Sequence, residues 1–192
     1  MATYPFRTRR WTRGEYDRLI EIGVFRPGEP VELLGGELIV GEPQGSLHYT
    51  AIGLVEDALR AAFGPGWLVR AQGPMALDEE SEPEPDVAVT RGSRRDYSAR
   101  HPSRAVLVVE VAESSLSVDR EHKGSLYARA GLDDYWIVDL VDGVLEVYRQ
   151  PVPDAAAPFA WRYASAERLD PGASVTPLAA PGARIAVSDL LP

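Results

Sequence analysis

Residues 105–113 read AVLVVEVAE, an apolar run broken only by Glu110 before it ends at Glu113. Its length and its content of valine fit a strand. Apolar residues at successive positions leave no polar face, so such a strand must be central and covered on both sides. That requirement excludes an open one-sided sheet. It calls for a layered α/β arrangement in which helices supply the covers.

The flanking sequence offers those covers. Residues 46–63 carry Leu47, Ala51, Leu54, Val55, Ala58, Leu59 and Ala62 at three- and four-residue steps, the mark of one buried helical stripe. Gly64-Pro65-Gly66 ends that helix. A second helix is predicted from about Ser117, with Asp119 and Glu121 in its first turn, to Gly131. Strands are expected at 67–72, at 85–90 and in DYWIVDL and LEVYRQ, the last two joined by Asp142-Gly143. Upstream, Thr12 and Glu15 form a capping box for a short helix that Gly23 stops. Gly35-Gly36 then joins the arms of a hairpin. Short strands are expected at 159–164 and within 173–187. The expected fold is therefore α/β (α+β), a mixed sheet flanked by helices, with an N-terminal hairpin and C-terminal strand extensions. The 192 residues read as a single domain.

Glu110 is costly where it stands, since a charge in an apolar strand must be paired, bound to a cation or able to reach solvent. Asp86 follows Pro85 at the head of the strand PDVAVT, where a simple turn cap is the competing explanation. If the two strands are neighbours, the two carboxylates can converge on a hard cation such as Mg²⁺ or Mn²⁺. With no cysteine, thiolate ligands and disulfides are excluded, which fits a cytoplasmic chain. No run is long enough to span a membrane. The net charge of −9 argues against indiscriminate nucleic-acid affinity. Yet the charge is segregated: residues 77–86 hold six acids and no base, whereas Arg91, Arg94, Arg95, Arg100 and Arg104 follow, and Arg7, Arg9, Arg10 and Arg13 precede. That pattern suits a cation site meeting a polyanion, although solvated loops of mixed sign would also produce it.

EPDVAVTRG, VLVVEVAESS, DREHKGSLYARAGLDDYWIVDL and VELLGGELIV together resemble the Uma-type family of restriction endonucleases, within the PD-(D/E)XK nuclease superfamily. The resemblance spans about residues 30–148. It implies a restriction-endonuclease-like core in the order helix, three strands, helix, strand. It also implies that Asp86 and Glu110 are the metal-binding acids, with the Val111 carbonyl as a further ligand. The position two residues past Glu110 holds Ala112 where the superfamily has lysine. The resembling family fills that space from the next helix, and Lys123 matches the replacement. Asp119, Lys123 and Tyr127, four apart, share a helix face, so a surface Asp119–Lys123 pair is the plainer alternative. Glu32 and Glu37 are the candidates for a further acid; their separation of five puts them on opposite strand faces, and Glu37 is the expected one. His48 is expected at a packed interface, with ligand or phosphate contact as its other role.

These residues imply a Mg²⁺- or Mn²⁺-dependent endonuclease acting on DNA. Asp86, Glu110, Lys123, Glu37 and Tyr127 would form the catalytic set, and Arg91, Arg94, Arg95 and Arg100 the backbone contacts. A homodimer is compatible with cutting two strands. A non-catalytic binding or assembly protein on the same fold is the alternative, and an enzyme for a small phosphorylated molecule is a third reading.

Overall fold

The computed structural model describes residues 8–41 and 43–192; Arg7 lies outside the described residues. The central strand predicted at 105–113 is β5 (Leu107–Ala112), buried at every position. The chain reaches it through α1 (Arg13–Glu21), the hairpin β1 (Val31–Leu34) and β2 (Glu37–Val40), α2 (Ser46–Phe63), β3 (Trp67–Ala71) and β4 (Val87–Arg91). Beyond it come α3 (Leu116–Val118), a π turn (Asp119–Lys123) and α4 (Gly124–Arg129). These three run on as one helical segment before β6 (Asp134–Asp139), β7 (Val144–Pro153) and β8 (Trp161–Leu169). Two short strands follow, β9 (Ser174–Val175) and β10 (Ile185–Ala186).

The main sheet has the order β3-β4-β5-β6-β7-β8. Only β5 and β6 run parallel, because the helical segment between them carries the chain back to the starting edge; all other neighbours are antiparallel. Alternation along β5 sends Leu107, Val109 and Val111 to one face, where α2 and the C-terminal segment cover them. Val108 and Ala112 face the other side, against Tyr127, Ala128 and the rings of Tyr135 and Tyr163. Glu110 shares that second face by parity. The fold is thus a mixed sheet flanked by helices.

Two expectations shift in detail. The stripe of α2 is Ala51, Ile52, Val55, Leu59 and Phe63, while Leu47, in the first turn, is 47% exposed. The last strands differ as well, since β8 continues to Leu169 and the segment 173–187 pairs only as β9 with β10. No helix among the described residues is long and apolar enough to cross a membrane.

The hairpin is anchored by its turn. Gly35 and Gly36 have φ of +57° and +84°, a conformation that L side chains rarely adopt. A methyl on Gly36 would also meet Arg10 Cβ at 2.7 Å and the Trp11 carbonyl at 3.3 Å. Gly36→Ala is therefore expected to destabilise the chain by about 1–2 kcal/mol, read as a lower melting temperature. Unchanged melting would show that the hairpin end yields without cost.

Candidate active site

Register brings the two acids together. Val87 pairs with Val109, so the next step along the antiparallel ladder sets Asp86 beside Glu110. Asp86 lies one residue ahead of β4, and its side chain ties it to β5. Asp86 Oδ2 accepts from the Val111 N–H at 2.8 Å, and the Asp86 N–H donates to Glu110 Oε2 at 3.3 Å. Each acid therefore replaces a ladder bond that the strand ends would otherwise leave unmade. Val111 meets Asp86 through its N–H.

Glu110 is 2% exposed, and its Oε1 accepts from the Tyr127 hydroxyl at 2.8 Å. Lys123 Nζ stands 3.3 Å from that same oxygen and 3.4 Å from Glu32 Oε1. Lys123 closes the π turn, whose opening residue Asp119 is 2% exposed and accepts from Ser115 Oγ. Asp86 Oδ1 faces His48 Nε2 at 3.2 Å, across from the first turn of α2. The structure thus places Asp86, Glu110, Lys123 and Tyr127 in one cluster, with Val111 beside it.

Glu37 is a correction. It is exposed at the hairpin turn, while Glu32 reaches Lys123 and accepts from the Glu84 N–H at 3.1 Å. Counting five residues as though along one strand misleads here. Leu34 pairs with Glu37, and Glu32 is two residues from Leu34, so both glutamates lie on one face. Position along the hairpin separates them. The arginines also lie elsewhere: Arg91, at the far end of β4, is five residues past Asp86, roughly 16 Å at ~3.3 Å per residue. Arg91, Arg94, Arg95 and Arg100 are all exposed. His48 contacts Asp86 directly, where sequence reasoning weighted an interfacial role; its place in the first turn of α2 was the available signal.

The cluster has more acid than base. Burial drives the Glu110 carboxyl up to about 8, against the pull of Lys123. Asp119 is raised to about 6 for the same reason. Burial works against the charge of Lys123, but Glu110, Glu32, Asp119 and Asp86 outweigh it, and its pKa is raised. Burial also disfavours the charged form of His48; hydrogen bonding to Asp86 and its charge win, so its pKa is raised too. Among the described residues no three His, Cys, Asp or Glu side chains stand at metal-ligand spacing. Mg²⁺, however, needs only one or two carboxylates and keeps several waters. The carboxyl oxygens of Asp86 and Glu110 are hard donors that fit such an ion, whose charge would displace the proton that burial favours on Glu110.

The comparisons with known proteins agree with this architecture. A crystal structure described as "a putative nuclease belonging to DUF820", from Anabaena variabilis, matches with a TM-score of 0.66 at 20% identity, over 90% of this chain and 96% of that one. At that identity the likeness concerns the fold. No curated protein sequence matches. The model of the Uma2 family, described as "Putative restriction endonuclease", matches residues 13–188. That match takes in both acids, the lysine and every strand of the main sheet, and the chain belongs to the Uma2 family.

Proposed function

We propose that the chain is an endonuclease that hydrolyses phosphodiester bonds in DNA with Mg²⁺ or Mn²⁺ held at Asp86 and Glu110. One observation carries this reading. Two acids 24 residues apart in sequence meet at the end of a strand pair, and an amine from the next helical segment sits against one of them. The family match supports the reaction class.

A bound divalent cation supplies polarisation of the phosphoryl oxygen and acidification of a coordinated water. The chain's own groups do the rest. Lys123, held charged, offsets negative charge that develops on the phosphoryl group. Tyr127 fixes the rotamer of Glu110, and the Val111 N–H fixes that of Asp86. Glu32 steadies the amine from the hairpin side. His48, with its raised pKa, can hold a proton beside Asp86. Arg91, Arg94, Arg95 and Arg100 are the proposed backbone contacts, working at a distance from the cut. Cutting both strands of a duplex calls for two such centres, which a homodimer would bring.

Calorimetric titration with Mn²⁺ tests the cation. The wild-type chain should give saturable heat, and Asp86→Ala should remove it. Absence of heat from the wild type would overturn the metal-dependent reading and leave the binding or assembly role.

A further inference from the structure

Arg70 is the basic residue that the proposed site does not use, and its surroundings are unusual. It stands on β3 opposite Ala88, and its Nη1 is buried with no hydrogen-bond partner among the described residues. A guanidinium cannot shed its charge to relieve this, as a lysine can. Its ionisable neighbours are the Tyr97 ring, 5.9 Å from the guanidinium carbon, His101, and Arg94, a like charge. Together with Arg94 it lines a cavity of about 400 Å³. Glu56 is the one acid among the lining residues, and Arg60 already holds it.

Tyr97 is the shared wall between this cavity and a second one of about 440 Å³, lined by Arg13, Arg100, His101, Ser103 and Arg104. The Tyr97 hydroxyl donates to the Arg91 carbonyl at 2.7 Å. The short 3₁₀ turn bearing Arg94 and Tyr97 is closed by a Ser93–Asp96 capping box. The wall is therefore fixed in place. Apart from Glu56, acid enters at the Arg13 side, where Asp17 and Glu82 face Arg13 and His101 in an adjoining hollow and Glu79 also pairs with Arg13. Among the described residues Arg70, Arg94, Arg100 and Arg104 form no ion pair.

We propose that the groove on either side of Tyr97 binds successive phosphates of a DNA strand, with the half-buried Arg70 as its anchor, at a distance from the acidic cluster. Two cationic cavities in series match a repeating anion, where a single phosphate would occupy only one. A planar guanidinium suits bidentate contact to phosphate oxygens, and the unpaired Nη1 would gain an acceptor on turning toward one. Ala88 is two residues past Asp86, roughly 7 Å along the strand, and Arg91 roughly 16 Å. At ~3.4 Å per base pair, the groove holds backbone about two to five base pairs from the scissile bond. This assignment rests on the acidic cluster being the cleaving centre only for that direction; binding itself does not require it.

The test measures binding apart from cleavage. Fluorescence anisotropy with a labelled duplex of about 20 base pairs, without metal and in a Glu110→Gln background, is followed against salt. Arg70→Gln should weaken binding about tenfold and reduce the magnitude of the salt slope by about one. Arg94→Gln, at an exposed position, should weaken it without altering melting, and so covers the possibility that Arg70→Gln fails to fold. Arg168→Gln, paired with Asp142 on β8, is the unaffected control. Unchanged affinity and slope in both groove variants would overturn the groove, while plasmid cutting by the wild type with Mg²⁺ would leave the nuclease reading standing. Inorganic phosphate is the second probe. Protection of the wild type by phosphate, with no competition from the duplex, would mark a site for a free anion and overturn the backbone assignment. Duplex binding lost in both variants supports it even if no cleavage is ever seen.

Discussion

Supercoiled DNA incubated with Mg²⁺ should be cut by the wild-type chain and survive with Lys123→Ala, with a loss of at least about a hundredfold in rate. The size of the effect follows from the absence of a substitute. Ala112, on the strand face where the superfamily has its lysine, is fully buried and bears no charge. Lys123 is the one cation in contact with Glu110 among the described residues. Its side chain is 13% exposed and its pKa is raised, so it stays charged throughout the useful pH range. Removing it also leaves Glu110, Glu32 and Asp119 facing one another without a counter-charge, so melting and Mn²⁺ titration must accompany the rate. A folded, metal-binding Lys123→Ala protein that still cuts at the wild-type rate would remove the amine from the mechanism. Glu37→Gln should be indistinguishable from wild type, whereas Glu32→Gln should lose part of the rate by freeing the amine.

The second large effect is on stability. Without metal, the melting temperature should fall as pH rises from about 5 to about 8. Glu110 holds its proton in the folded chain up to about 8, whereas an ordinary glutamate releases it near 4.5. Between those values the unfolded chain binds fewer protons than the folded one, so each step upward in pH favours unfolding. The stabilisation is complete below 4.5 and is lost as the pH approaches the folded value. Asp119, raised to about 6 from 3.8, adds the same sign over a lower window. His48 also has a raised pKa, and its contribution fades in the same direction. A few kcal/mol in total, at roughly 2–4 °C per kcal/mol for a chain of this size, is on the order of 10 °C. Glu110→Gln should flatten most of the slope, and so should saturating Mg²⁺ or Mn²⁺. A slope that persists in Glu110→Gln would assign it to other groups.

Much of the frame could be read from local chemistry. The Thr12–Glu15 capping box, the Gly35-Gly36 turn and the doubly covered β5 all follow from neighbouring residues, and the structure contains each of them. Glu110 stood out because an acid in an apolar strand demands a reason. Glu32 did not, because the choice between it and Glu37 turns on cross-strand pairing and on how the hairpin lies against the helical segment. His48 was read from its helical stripe, and the stripe says nothing about what its first turn faces. Arg70 was invisible for a related reason. An arginine within a short strand looks like a solvent-facing residue until the loop bearing Tyr97 is laid over it.

The π turn from Asp119 to Lys123 has an engineering consequence. Its widened loop, in which the Gly124 N–H reaches the Asp119 carbonyl, holds one more residue than an α-turn would. Gly124 accommodates it, since a methyl there would stand 3.2 Å from that carbonyl. Deleting one residue to restore an ordinary helix would swing everything upstream by about 100° while leaving α4 docked. The segment therefore behaves as a phase adjuster: reach at one end can be retuned without loosening the grip at the other, and single-residue indels here should prove far more disruptive than substitutions.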